Sequence, residues 1–234
     1  MDRIYIEDIY KKVLGKDSKI TARLYGGMMN VSYILEDKHK NKFIIYLPNG
    51  KANKIVVREN EKKNHDLVYS LGLTKQNIYF DTVRGIKINE YIPGLSLDKV
   101  DEFNYLKVSK LLHKLHESNL SSGIKYDPFN RFINEYEKEC KTYIKEFDKD
   151  YLSLREFLFN HKDYLENQKL VLCHNDFQRS NIIKSTTNKY YMIDFEFTAD
   201  NDPIYDIAAF GNNNVLDGRA LLTYYYFAKE SNDE

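Results

Sequence analysis

The sequence predicts an α+β fold in two lobes, a sheet-rich lobe over residues 1–92 and a mostly helical lobe over residues 93–234. Three observations predict this division. β-prone runs crowd the first part of the chain, helical spacing of apolar residues dominates the second, and Pro93-Gly94 is a strong break between them. Because ligands commonly bind between lobes, we expect a site in the cleft.

The first lobe is expected to contain an antiparallel sheet with one main helix. Short runs rich in β-branched and aromatic residues, separated by turn residues, predict its strands. These runs are Ile20–Tyr25, Val31–Leu35, Lys42–Leu47, Ile78–Phe80 and Ile86–Ile92. The main helix is predicted over Arg58–Leu71 and ends at Gly72, and a short helix over Asp8–Leu14 ends at Gly15.

The second lobe is predicted to be helical, with a few short strands near its middle. The predicted helices are Phe103–His116, Phe132–Phe147, Leu152–Leu165, Tyr205–Phe210 and Ala220–Lys229. The predicted strands are Leu170–Cys173, Ile182–Lys184 and Tyr190–Ile193.

Composition and charge exclude several classes of protein. Thirty-five basic residues balance thirty-five acidic ones among 234, so no general attraction to nucleic acid or to an anionic membrane is expected. No apolar run is long enough to span a bilayer, and the N-terminal segment lacks the apolar core of a signal peptide. Two cysteines, Cys140 and Cys173, form neither a disulfide framework nor a metal knuckle, which favours the cytoplasm.

A polar stretch, HNDFQRSN at 174–181, separates two predicted strands and is a candidate active-site loop. It contains Asp176 and Asn181, and Asp194 ends another β-prone run eighteen residues beyond Asp176. If the strands pair, these oxygens face a common point and suit Mg²⁺. Phosphoryl transfer needs one acid to orient the attacking hydroxyl and others to hold the metal. The alternative is a polar loop with Asn and Asp side chains as caps.

Two stretches of the first lobe fit a nucleotide site. A Gly-Gly turn in LYGGMMNVSY lets backbone N–H groups approach a phosphate, although it also suits a simple hairpin. The segment NEYIPG lies where the lobes join, and an extended hinge there offers backbone groups to an adenine edge, although it also suits a plain linker.

Together these motifs resemble the choline/ethanolamine kinase family and, more distantly, the aminoglycoside phosphotransferases. The matching stretches occur in family order over about residues 20–210: GGMMNVSY, RENE, EYIPGLSL, KLLHKLHES, HNDFQRSN, IDFEF and DPIYDIA. The resemblance implies a two-lobed protein-kinase-like fold that uses ATP and Mg²⁺. It also implies transfer of the γ-phosphoryl group to the hydroxyl of an amino alcohol, choline first and ethanolamine second.

Catalytic and metal-binding roles follow from the resemblance. Asp176 matches the catalytic base, and it also faces the acceptor. Asn181 and Asp194 match metal ligands, and Glu196 matches an acid that can reach a second magnesium.

Nucleotide-binding and structural roles follow in the same way. Gly26, Gly27 and Asn30 match the phosphate loop, while Glu90 and Ile92 match hinge positions that use backbone atoms. Asp206 matches an acid that braces the catalytic loop. His174, like His116, is interpreted as structural.

The chain departs from the family pattern on its third strand. Family members usually carry Arg or Lys there to contact the ATP phosphates, and Glu61 matches the acid that pairs with that cation. Tyr46 lies at this position and is neutral near pH 7. We therefore expect weak ATP binding, unless Arg58 or Lys51 substitutes for the missing cation.

The acceptor pocket departs as well. Asn212 lies near the position of a family Glu, and the chain has no Trp with which to cage an ammonium group. Phe197 and the run Tyr224 to Phe227, which includes Tyr225, are candidate cage residues, although the run equally fits a buried helix face. Three alternatives stay open: another acceptor such as an aminoglycoside, thiamine or a sugar; a nucleotide-binding protein with little turnover; and a structural domain.

Overall fold

The computed structural model describes residues 3–25, 30–49, 56–212 and 214–230. In the first lobe the elements are α1 (Arg3–Leu14), β1 (Ser18–Leu24), β2 (Asn30–Asp37), β3 (Lys42–Pro48), α2 (Arg58–Ser70), β4 (Asn77–Asp81) and β5 (Ile86–Glu90). The five strands form one antiparallel sheet in the order β1-β2-β3-β5-β4. The predicted strands and helices of this lobe are confirmed.

Alternation along β3 and β5 gives the sheet two different faces. Ile45 and Leu47 point into an apolar cluster with α1, and Ile88, opposite Ile45, joins them. Tyr46 and Lys87 are directly paired and therefore share the other face, which lies toward α2 and the second lobe. The face toward the cleft is thus the polar one.

The second lobe has more strands than the sequence indicated. Its helices are α3 (Tyr105–His116), α4 (Pro128–Asn130), α5 (Lys138–Cys140), α6 (Lys149–Asn160), α7 (Lys162–Glu166), α8 (Ile204–Phe210) and α9 (Val215–Glu230), with a π-helix over Arg131–Glu137. Its strands are β6 (Gly94–Ser96), β7 (Val171–Cys173), β8 (Ile182–Ser185), β9 (Tyr190–Met192) and β10 (Ala199–Asn201). They form the sheets β6-β8-β9 and β10-β7.

Two of these elements correct the expectations. The predicted helix over Phe132–Phe147 ends at Cys140, because both the N–H and the hydroxyl of Thr142 bond back to the carbonyl of Glu139. Gly94, expected only as a break, begins β6, and a Cβ there would lie 2.3 Å from the carbonyl oxygen of Lys184. Close pairing of β6 with β8 therefore requires glycine.

Helix α2 is bonded to the second lobe as well as to the first. Its Val68, with Leu73 just beyond it, packs in the apolar cluster of the second lobe. The Asn64 side chain donates to the carbonyl of Thr198 (2.6 Å), and the N–H of Met192 donates to the carbonyl of Leu73 (2.8 Å). A division at residue 93 remains our proposal, and these contacts show that α2 packs against both lobes.

No helix in the described ranges has the length and apolar character that a membrane crossing requires.

Candidate active site

The polar stretch after β7 is held in shape by a buried carboxylate. Asp206 on α8 is fully buried and accepts hydrogen bonds from the N–H groups of His174 (2.8 Å) and Asn175 (2.7 Å). Its Oδ2 also lies 3.1 Å from Nε2 of His116. Nδ1 of His174 accepts from the N–H of Asp176 (3.3 Å), and Nε2 therefore donates to the carbonyl of Ile193 (2.9 Å). These contacts support the structural roles we assign to Asp206 and both histidines.

Two residues with positive φ set the direction of the loops. Asn175 has φ of 61° and Asp194 has φ of 70°, a region where Asn and Asp are enriched among residues with a side chain. The Asn175 amide donates to the carbonyls of Phe197 (3.0 Å) and Ala199 (3.2 Å), so it ties the polar loop to the segment after β9. The sequence analysis missed Asn175, although an Asn between His and Asp after a strand is a recognisable turn signal.

The Asp176 carboxylate is fixed by two amide side chains. Oδ1 accepts from Nε2 of Gln178 (2.6 Å), and Oδ2 accepts from Nδ2 of Asn181 (2.8 Å). Burial raises the pKa of Asp176, and the charge of Asp194 adds to this, while the two amides and His174 act against it. A carboxylate held in this way has a defined orientation toward the space in front of it.

Three acids converge beside this loop. Glu61 of α2, Asp194 and Glu196 each bring one carboxylate oxygen within 4.8 Å of the others. Within the described ranges, Oδ1 of Asp194 and Oε2 of Glu196 are buried and accept no hydrogen bond. Burial, and next the charge of Asp194, raise the pKa of Glu196 to about 8. Buried oxygens without donors, under mutual repulsion, fit a divalent cation that prefers oxygen ligands.

Two basic side chains balance these acids. Lys87 of β5 pairs with Glu61, and its Nζ lies 3.8 Å from Asp194. Nη1 of Arg58 lies 2.5 Å from Glu61 and 3.9 Å from Glu196. Burial alone would raise the pKa of Glu61, but Lys87 and Arg58 together hold it below its ordinary value. Glu61 is therefore a charged anchor for two cations.

The structure places a cation beside Tyr46 that the sequence analysis did not name, and the expected weak ATP binding stays a prediction. Nζ of Lys87 lies 4.7 Å from the centre of the Tyr46 ring, because Lys87 occupies the directly paired position on the next strand. Arg58 is also present, as considered from the sequence, whereas Lys51 lies outside the described residues. The sequence signal that could have identified Lys87 is the run IKI in β5, where a lysine lies between two buried isoleucines.

An aromatic cavity of about 270 Å³ adjoins Asp176. Phe197 and Asn212, the proposed acceptor contacts, are among the residues that line it, as are Asn175 and Asp176. Other wall residues were not predicted: Tyr126, Pro128, Arg131, Tyr136, Tyr205, Ala208 and Ala209. The hydroxyls of Tyr126 and Tyr205 lie 3.2 Å apart.

Tyr225 is not part of this cavity, which corrects its assignment to the acceptor site. Its ring is buried in the core between α3 and α9, and its hydroxyl bonds to Nδ1 of His116 (2.8 Å). Tyr224, Tyr226 and Phe227 are exposed. The Tyr-rich run therefore packs α9 against α3 and adds nothing to the cavity wall.

The remaining predicted nucleotide contacts lie at the hinge and at the start of β2. The N–H of Glu90 already donates to the carbonyl of Gln76 (3.0 Å), so only its carbonyl is left to face a base. Ile92 is buried beside it. Asn30 is buried at the first position of β2, and Gly26 and Gly27 lie outside the described residues.

The fold is the protein-kinase-like fold. Its two lobes and the cluster of acidic and amide side chains beside the polar loop identify it. The family model for choline/ethanolamine kinase matches residues 21–232. The chain belongs to the choline/ethanolamine kinase family.

Individual relatives agree with this family. Protein LicA of Haemophilus influenzae is 28% identical over 194 residues, which are 78% of this chain and 55% of the relative. A crystal structure of choline kinase LicA from Streptococcus pneumoniae superposes with a TM-score of 0.73 at 26% identity, covering 94% of this chain and 80% of that one. A structure of LicA in complex with AMP gives a TM-score of 0.72 at 25% identity, covering 95% and 79%. The chain spans roughly half to two thirds of the length of the curated relatives it matches.

Proposed function

We propose that this protein transfers the γ-phosphoryl group of ATP to the hydroxyl of an amino alcohol, choline first and ethanolamine second. One observation carries the proposal. The oriented carboxylate of Asp176 lies in the wall of an aromatic cavity and also interacts with Asp194 of the neighbouring acid cluster. An acceptor hydroxyl on one side and a metal-bound phosphate on the other would meet there. Membership of the family and the likeness to a choline kinase structure support the choice of acceptor.

Asp176 is the base in this proposal. Gln178 and Asn181 each occupy one side of its carboxylate, so the remaining lone pairs point in restricted directions. A hydroxyl entering from the aromatic cavity would donate to Asp176 and lose its proton as the phosphoryl group transfers. The gain comes from position and orientation, without a covalent intermediate.

The metal ligands in this proposal are Asn181, Asp194 and Glu196. Asn181 uses its nitrogen to bond Asp176, which leaves its carboxamide oxygen for a cation. Mg²⁺ bound here would neutralise charge on the transferring phosphate.

Lys87 is the phosphate-contacting cation in this proposal, with Glu61 as its anchor. Gly26, Gly27 and Asn30 would approach the phosphates from the turn before β2. The carbonyl of Glu90 and the backbone of Ile92 would contact the adenine edge. Tyr46 contributes its ring beneath Lys87 rather than a hydrogen bond to phosphate.

The test is ADP release with Mg²⁺-ATP across a panel of hydroxyl acceptors that includes choline, ethanolamine, thiamine, an aminoglycoside and a sugar. We expect release with choline above all others, and none in Asp176→Asn. Release with a different acceptor would keep the reaction and change the substrate. ATP binding without release on any acceptor would instead favour a nucleotide-binding protein.

A further inference from the structure

The aromatic cavity already contains a cation from the chain itself. The guanidinium carbon of Arg131, at the start of the π-helix, lies 3.9 Å from the ring centre of Phe197. It lies 5.4 Å from the ring centre of Tyr136 and 5.8 Å from that of Tyr126. Only 13% of its side chain is exposed. A cation within about 6 Å of a ring centre is attracted to the ring face, so one guanidinium engages three of the cavity's rings.

Arg131 is held mainly by these rings. Its Nε donates to the hydroxyl of Tyr136 (2.8 Å). The acid that the structure pairs with it, Glu135, is half-exposed and 3.6 Å away. Ring faces attract any cation of suitable size, so they do not distinguish a guanidinium from an ammonium group.

We propose that Arg131 is a resident cation that the cationic head of the acceptor must displace from Phe197, Tyr136 and Tyr126. This rests on the proposed function and names the acceptor class: an alcohol carrying an ammonium group. The two charges cannot share the Phe197 face, because Arg131 is always protonated and like charges repel at that distance. Glu135, one helical turn on, receives the displaced guanidinium at the cavity rim.

Displacement makes Arg131 a determinant of specificity. An ammonium head recovers the ring attraction that Arg131 gives up, whereas a neutral alcohol recovers none of it. Neutral alcohols are therefore excluded from the Phe197 face by the resident cation, and every cationic acceptor binds more weakly than the rings alone would allow. Arg131 acts on binding and leaves the proton transfer to Asp176.

The experiment compares Arg131→Gln with the native protein. Glutamine keeps a polar side chain for Tyr136 and removes the charge. We expect KM for choline and Kd for tetramethylammonium, which has no hydroxyl, to fall about 3- to 30-fold, the range of a cation–π contact. The kcat and the KM for ATP stay unchanged. Arg131→Lys, which keeps the charge, stays close to the native values.

Arg23→Gln is the matched control. The guanidinium carbon of Arg23 on β1 lies 5.0 Å from the ring centre of Tyr25, and neither residue is among those that line the cavity. Its removal should leave KM for choline and Kd for tetramethylammonium unchanged. Phe197→Leu, made in the Arg131→Gln background, should reverse the tighter binding, because it removes the ring that both cations contact. Unchanged or weaker tetramethylammonium binding by folded Arg131→Gln overturns the inference.

The tetramethylammonium measurement separates this inference from the proposed reaction. If Arg131→Gln tightens tetramethylammonium binding but the native protein releases no ADP with choline, the resident cation stands and the reaction is wrong. If the native protein turns over choline but the variant binds tetramethylammonium no better, the reaction stands and the resident cation is wrong.

Discussion

Lys87, which is buried, and Arg131, which is partly buried, are held in opposite ways. Lys87 is 6% exposed and lies between the carboxylates of Glu61 and Asp194. Arg131 is 13% exposed and lies against aromatic rings, with one half-exposed acid nearby. A buried ion pair is costly to break, because removing one partner leaves the other uncompensated. A ring face can attract another cation, so the proposed displacement concerns Arg131, whereas the ion pairs of Lys87 hold it in place.

The largest effect should come from removing the proposed base. Asp176→Asn removes the proton acceptor and should lower kcat by roughly 10²–10⁴ while leaving ATP binding nearly unchanged. Single-turnover kinetics with Mg²⁺-ATP measure this. Asp163→Asn, on α7 and outside the residues that line the cavity, is the matched control. Normal turnover in Asp176→Asn rules out the base.

The second-largest effect should come from removing a proposed metal ligand, Asp194 or Asn181. At one hundred times Kd a ligand stabilises a protein by about 2.7 kcal/mol, and Asp194→Ala should lose most of the stabilisation that ATP with Mg²⁺ provides. Asn181→Ala should lose less, because it removes a ligand without removing a charge. Thermal unfolding with and without Mg²⁺-ATP checks this order. Equal stabilisation of the native protein and Asp194→Ala contradicts the metal site.

Removing Lys87 should have a smaller effect again. Lys87→Met should weaken ATP binding by about 1–3 kcal/mol, the usual range for a hydrogen bond to a charged group. Calorimetric titration with ATP measures it. Lys62→Met, on the exposed side of α2 beside Asp66, is the control for loss of a lysine. If both variants bind ATP equally well, Lys87 does not contact the phosphates.

The smallest effect should come from the ring beneath Lys87. Tyr46→Phe keeps the ring face and removes only the hydroxyl, so the Kd for ATP should change by less than about 0.5 kcal/mol. The same titration decides it. A loss as large as that of Lys87→Met would mean that the hydroxyl contacts the nucleotide.

Local sequence signals predicted the fold and the grouping of the acidic and amide side chains, but not Lys87. The two-lobed fold is confirmed, and Asp176, Asn181, Asp194 and Glu196 lie together because a strand–loop–strand pattern brings them together over a short stretch of chain. The strands β6 and β10 were missed, because neither Gly94–Ser96 nor Ala199–Asn201 contains a β-branched or aromatic residue.

The aromatic cavity could not be predicted in the same way. Its rings come from Tyr126, Tyr136, Phe197 and Tyr205. Phe197 and Tyr205 lie in the stretches IDFEF and DPIYDIA, but Tyr126 and Tyr136 lie in none of the matching stretches. Chain packing alone places them around one space. A cluster of tyrosines in sequence, such as the run containing Tyr225, signals a helix face as readily as a cage, and here it forms the core.

The paired positions of Ser32, Tyr46 and Lys87 lie side by side across three neighbouring strands. Their side chains share one face, so a positive charge could reach the same point from β2, β3 or β5. A lysine at any of these three paired positions would therefore place its ammonium group on the same part of the sheet face. A chain without Arg or Lys at the usual position of β3 can therefore carry a basic side chain at the paired position of the next strand, as this chain does with Lys87.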